Sequence, residues 1–320
     1  MTRRIRPYAY LFCAALLWGV AFAAQRLGGK SIGSFSFNAI RFLVGAISLL
    51  PLVVWRRRAQ RLRTSENVPA SNDFARRDST HRGHPRFSLV LWGALCGIIV
   101  FCGASLQQIG LQWTTAGKAA FLTGLYIVLI PAAGLFVGKR PGWGLAVGST
   151  LAAVGLYLLS VRDGFSVSLG DWLEIAGALF WTAHILVVAR LSTRLDPVKL
   201  ALAQFVACGT LSAAAAFLTE GFGAETLALA FSPGPNGALI PVLYSGILSI
   251  GAAYTLQILG QKGVSPGPAA LIMSLEAVFA ALGGWLVLNE TMDARALAGA
   301  ALMLTGMISA QLIPPSKKSR

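Results

Sequence analysis

Charge is scarce in this chain: of 320 residues only 12% are Asp, Glu, Lys or Arg, and acids number 12. A soluble domain of this length carries about twice that share, so an ordinary water-exposed surface is excluded. Histidine is scarcer still, at three residues, and two of them, His81 and His84, stand in a basic polar stretch. That leaves too few ligands for a histidine-rich metal site or a catalytic cluster at a membrane face. The four cysteines, Cys13, Cys96, Cys102 and Cys208, lie in apolar surroundings with no Cys-x-x-Cys spacing, which excludes a disulfide-stapled secreted fold and a zinc site. No Gly-x-x-x-x-Gly-Lys-Ser/Thr loop is present, so nothing in the sequence points to ATP use. No cofactor or metal is expected.

What is abundant is apolar length. Hydrophobic residues make up 55% of the chain and mean hydropathy is +0.66. A membrane-crossing helix needs about 20 apolar residues for about 30 Å of hydrocarbon. Apolar runs bounded by charge, proline or glycine fall at 8–26, 35–55, 87–108, 117–138, 142–161, 170–190, 198–219, 238–259, 267–288 and 293–313. The expected fold is an all-α membrane protein of ten transmembrane helices. The first run follows Arg3, Arg4 and Arg6 and contains Ala21-Phe22-Ala23, the pattern of a cleaved leader. Its internal counterpart later in the chain favours a retained helix.

The net charge of +15 reads as topology. With the N-terminus inside, 21 of the 27 basic residues fall on cytoplasmic segments, nine of them arginines between 56 and 86. Arg26, Lys30, Lys118, Arg162 and Arg295 fall outside, and Arg41 within a span. Both termini are therefore expected in the cytoplasm, the lipid bilayer is the main partner, and nucleic-acid binding is not expected. The 56–86 loop reads as a flexible topology anchor that can also touch anionic lipid heads.

The chain also resembles itself. A shift of 150 residues lays Gly117–Tyr126 over Gly267–Glu276 and Gly134 over Gly284, while a shift of 163 pairs Trp18 with Trp181 and Arg41 with Gln204. Two five-helix repeats are expected, 1–161 and 162–320. Because five is odd, the second repeat enters from the opposite face, which makes the repeats inverted. Such repeats mark transporters, with substrate held near the midplane between halves. The Gly93/Gly97, Gly134/Gly138 and Gly144/Gly148 spacings read as close helix packing rather than dimerisation, and Pro131 as a kink in the fourth span or a loosened point that serves as a gate.

Polar residues deep in these runs are the candidate functional groups. Glu276 lies about ten residues into its span, about 15 Å from either end. A charge there costs about 2.5–3.5 kcal/mol on insertion scales and must face protein or water. Two readings stand: a proton-coupling or cation-binding carboxylate, or a structural carboxyl between helices. Tyr126, its repeat partner, can face the same cavity or bond the acid. His184 follows Trp181 by three residues and shares its face; it is a proton relay or an interhelical contact. Arg41 can hold a substrate carboxylate or phosphate, pair with Glu276, or snorkel. Gln204 supplies a neutral donor and acceptor at the matching depth. Trp18 and Trp181 sit mid-helix, where they wall a cavity or simply pack, and Tyr254 and Gln257 add polar contacts.

The stretch Ser274–Glu290 with Gly299 and Gly306, together with Leu17-Trp18-Gly19, Phe22 and Ile40-Arg41-Phe42, resembles the EamA-type repeat of the drug/metabolite transporter superfamily. The resemblance covers nearly the whole chain apart from 56–86 and the C-terminal tail. It implies ten helices with both termini inside and the movement of amino acids, sugars, nucleobases or other small metabolites. Lys139-Arg140 stand where family repeats often carry an acid, and Ala277 where a proline often follows the glutamate. The expected activity is secondary transport of a small-molecule substrate, amino acids or related solutes, across a bacterial inner membrane, with proton-exchange export the leading specific form. The alternatives weighed are an intramembrane enzyme on lipid or prenyl-linked substrates, a lipid-linked sugar flippase, and a receptor or scaffold.

Overall fold

The computed structural model describes residues 2–66, 85–114, 116–136, 138, 141–160, 168–288 and 293–312. Most of the basic loop, Lys139-Arg140 and the C-terminal tail lie outside them. Among the described residues the fold is all-helical. Eight helices are long and apolar enough to cross a membrane: α1 (Ile5–Ser31), α2 (Ser34–Arg56), α3 (Ser88–Gly110), α4 (Ala116–Phe136), α6 (Leu169–Leu191), α7 (Pro197–Thr219), α8 (Leu239–Gln261) and α9 (Pro266–Val287). Two shorter apolar helices, α5 (Trp143–Leu159) and α10 (Ala294–Ala310), complete the set. Each falls on one of the apolar runs.

The ends are fixed by local chemistry. Asp196 caps α7, its carboxylate accepting from the amides of Val198 and Lys199 at 3.0 Å, with Pro197 opening the helix. Ser168 and Asp171 form a capping box at the start of α6. The start of α2 is capped by another helix. Glu220, just past α7, accepts from the Phe35 and Ser36 amides at 2.9 and 2.8 Å and from the Ser36 hydroxyl at 2.7 Å. An anion there also complements the positive end of the α2 dipole.

The main pairings join the first five helices to the last five. They are α1 with α8 and α9, α2 with α7 and α8, α3 with α6 and α7, α4 with α6, and α5 with α10. Exchanging each helix for the one five places away maps this pattern onto itself: α3·α6 becomes α8·α1, and α3·α7 becomes α8·α2. Close approach is bought by small residues. A methyl on Gly148 would lie 2.6 Å from the Gly306 carbonyl oxygen, and one on Gly155 would lie 2.5 Å from that of Gly299. Gly97 packs in the same way against the Gln204 carbonyl, where a methyl would stand 2.9 Å away. Gly134/Gly138 is not such a pair, since Gly138 lies beyond the described helix at φ 74° and a methyl on it would meet nothing.

Three helices are irregular at their centres. α4 is interrupted at Gly124-Leu125 and α9 at Ser274-Leu275, where the amides of Leu125 and Leu275 bond the carbonyls three residues back. α8 runs as a π-helix over Tyr244–Tyr254. The break in α4 therefore precedes Pro131 and is not made by it. The two breaks are 150 residues apart, and the first residues beyond them are Tyr126 and Glu276.

Candidate functional site

The irregular centres of α4, α8 and α9 meet α1, α2, α3 and α6 around a central cavity. It measures about 50 Å³, room for a few waters at the ~10–15 Å³ each requires. Of the sequence candidates, Trp18, Arg41, Tyr126, Trp181, His184, Tyr254, Gln257 and Glu276 all line it. Gln204 does not, and reaches it through His184: Nε2 of the imidazole and Oε1 of the amide are 3.0 Å apart.

The acid at the break is buried, 4% exposed, and the Tyr126 hydroxyl donates to its Oε1 at 2.9 Å. One hydrogen bond thus joins the two interrupted helices at their matching positions. Helix α1 holds this region tightly, because Gly19 faces the Glu276 main chain so closely that a methyl would come within 2.6 Å of its carbonyl oxygen.

Arg41 is 3% exposed, so it does not snorkel. It forms no ion pair with Glu276 or any other described acid. Its Nε donates to Asn38 Oδ1 at 2.9 Å, and Asn38 in turn donates to the Ala104 carbonyl at 3.1 Å. The guanidinium carbon lies 5.4 and 5.3 Å from the ring centres of Phe37 and Phe42, within cation–π range. The side chain is held at Nε, and its terminal nitrogens make no hydrogen bond to described residues.

Aromatic rings wall the remainder. Tyr254 is the hub, with ring centres at 4.8 Å from Trp18, 5.8 Å from His184 and 6.3 Å from Trp181. Both indoles are oriented by hydrogen bonds. Trp18 Nε1 donates to the Ser249 carbonyl in the π-helical stretch and Trp181 Nε1 to Gln107 Oε1, each at 3.1 Å.

Sequence reasoning did not single out Gln25, Gln107, Thr123 or Glu174. Gln107 Nε2 donates to Gln25 Oε1 at 3.3 Å, and both line the cavity. Thr123 lines it too, one turn before Tyr126, and donates to Glu174 Oε2 at 3.2 Å. Gln25, Gln107 and Thr123 share one signal, an uncharged polar side chain inside an apolar run, which composition hides. Among the described residues no group of three or more His, Cys, Asp or Glu could hold a metal.

An all-helical, membrane-spanning body with a small polar and aromatic cavity among irregular helices is the build of a membrane transporter. The family comparison agrees: the model of the EamA-like transporter family matches residues 5–161 and 168–310, and the chain belongs to that family. An uncharacterized transporter of Archaeoglobus fulgidus is 32% identical over 312 residues, 96% of this chain and 87% of that protein. A probable terminal-alkyne amino-acid exporter of Streptantibioticus cattleyicolor is 24% identical over 310 residues, covering 93% and 91%. A solved crystal structure superimposes with a TM-score of 0.71 at 18% identity over 97% of both chains, a likeness of fold.

Proposed function

We propose that this protein is a secondary transporter that moves small polar or amphipathic metabolites, amino acids or related solutes, across a bacterial cytoplasmic membrane. Ten helices cross the bilayer as two inverted five-helix repeats, 1–161 and 162–320, with both termini in the cytoplasm. The exchange symmetry of the helix pairings and the two breaks 150 residues apart support this layout. Transport runs by alternating access, one repeat rocking against the other. Arg41 receives the substrate carboxylate through its free terminal nitrogens, and Trp18, Trp181 and Tyr254 wall the side chain. Glu276 binds the coupling proton, with export the direction.

The observation that carries this reading is the Tyr126–Glu276 hydrogen bond. It supports the reading because it joins a protonatable group on α9 to a hydroxyl on α4, a contact that changes if the two proposed repeats move against each other. The test is uptake of an amino-acid and metabolite panel by proteoliposomes of parent and Glu276→Gln under imposed and collapsed pH gradients. A solute moving only with the gradient in the parent, and indifferent to it in the variant, supports coupling. Robust transport indifferent to both makes Glu276 structural, and no movement across the panel removes the transport reading.

A further inference from the structure

Coupling to a proton needs a path for it between the aqueous face and the cavity, and one buried group outside the cavity is placed on such a path. Glu174 on α6 is 0% exposed, and among described residues no cation pairs with it. Its Oε2 accepts from Thr123, but its Oε1 has no hydrogen-bond partner. An isolated carboxylate in that position costs several kcal/mol, and a carboxyl there solely for structure would be expected to satisfy both oxygens. Space for Oε1 is kept by Gly110 at the end of α3, where a methyl would stand 3.0 Å from it.

The neighbours form a sequence. One turn toward the start of α6, Asp171 at the helix end is held by Lys118 Nζ at 2.6 Å and by the Thr114 hydroxyl at 2.8 Å. Next is Glu174, then the Thr123 hydroxyl, then the cavity with Tyr126 and Glu276. The ionisable groups that meet α6 from its packed neighbours are Lys118 on α4, bonded to Asp171, Tyr126 on α4 and Glu276 on α9, which line the cavity with α6 residues, and Tyr254 on α8, farther along beside His184. Lys118 is engaged by Asp171.

We propose that Glu174 is a second proton-carrying carboxyl, which passes protons through the Thr123 hydroxyl between the membrane face at which α6 begins and Glu276 in the cavity. The proposal rests on the proton-coupled reading above. The balance is one proton in and one out. With the Thr123 hydroxyl turned, protonated Glu174 donates to Oγ1, the hydroxyl hydrogen passes to a cavity water, and that water protonates Glu276. Glu174 is left as the carboxylate and takes its next proton from the face where Asp171 and Lys118 stand. That face is the outer one in the proposed orientation, the side from which an exporter driven by proton entry must draw.

The test needs no known substrate. The full chain is reconstituted in phosphatidylcholine/phosphatidylglycerol vesicles, and infrared difference spectra are recorded across pH steps and on transfer to D₂O. Expected are a titrating, exchangeable carboxyl band that disappears in Glu174→Gln and persists in Glu174→Asp, and at least tenfold slower exchange of the Glu276 band in Thr123→Val. A spectrum unchanged by Glu174→Gln overturns the proposal, as does Glu276 exchange indifferent to Thr123→Val. If Glu174→Gln does not fold, Glu174→Asp and Thr123→Val decide by the same bands. Because no solute is involved, failure here is distinct from failure of the transport panel.

Discussion

Replacing Gly19 by alanine tests the claim that α1 fixes the position of the buried acid. A methyl there would stand 2.6 Å from the Glu276 carbonyl oxygen, 2.8 Å from the Ala280 amide nitrogen and in collision with Phe279 Cβ, where ordinary contact begins at 3.4 Å. Two of these atoms are main chain and the third is a Cβ, so no rotamer change relieves the contact. The helices must part by about 1 Å, at a cost of about 1–3 kcal/mol. Alanine's better helix propensity offsets up to about 1 kcal/mol of that. Gly283 is the internal control, because it lies on the same α1–α9 interface and a methyl there meets only the Val20 Cα at 3.5 Å. Both are glycines inside apolar helices, so propensity cancels in the comparison. Gly19→Ala should therefore be less stable than Gly283→Ala by about 1–3 kcal/mol in denaturant unfolding of the purified protein followed by tryptophan fluorescence. A Gly19→Ala protein as stable as Gly283→Ala would refute the packing argument, and with it the idea that Glu276 is held from behind.

Glu220→Ala removes the acceptor of three hydrogen bonds at the start of α2 and should cost about 2 kcal/mol in the same unfolding assay, with Glu220→Gln intermediate because one oxygen remains. Equal stability of all three proteins would show that the cap contributes nothing. Arg41→Lys keeps the charge but not the planar fork, so a transported carboxylate solute should show a KM raised roughly tenfold or more; an unchanged KM would place the carboxylate elsewhere.

Much of the helical layout was legible because membrane helices announce themselves by apolar length, and each of the ten runs coincides with a helix. Legibility extended to the polar residues that interrupt those runs conspicuously: a glutamate and an arginine surrounded by Leu, Ala and Phe stand out, and Glu276 and Arg41 both line the cavity. The Arg41–Glu276 pair, one of the readings open to that arginine, did not form: Asn38 one turn away satisfies the Nε, and the Phe37 and Phe42 rings flank the guanidinium. The helix breaks were illegible for a related reason. Proline attracts notice at position 131, yet α4 yields at Gly124-Leu125 and α9 at Ser274-Leu275, where no strong helix breaker stands in both repeats. Tertiary contacts select those breaks, and a one-dimensional reading holds no trace of them beyond the 150-residue match.

Glu174 was missed because it stands three residues after Asp171, and two acids within one turn of a span's start read as the charged end of a helix. Depth separates them. Asp171 has three hydrogen-bonding partners at the helix end, one of them the ion-paired Lys118, whereas Glu174, about 4.5 Å farther along the axis, has one partner and an orphaned oxygen. Stability alone would favour an apolar side chain there, since a half-satisfied buried polar group is worse than none. The sequence keeps a carboxyl at that point, beside a glycine that leaves it room and a threonine that opens onto the cavity. Those three residues come from α6, α3 and α4, so any rocking of the first five helices against the last five alters the contact between Glu174 and Thr123. The bond between Tyr126 and Glu276 also joins opposite halves. A proton passing from Glu174 to Thr123 and on through cavity water to Glu276 would cross the moving seam twice, which is the geometry needed to tie proton movement to the change of access.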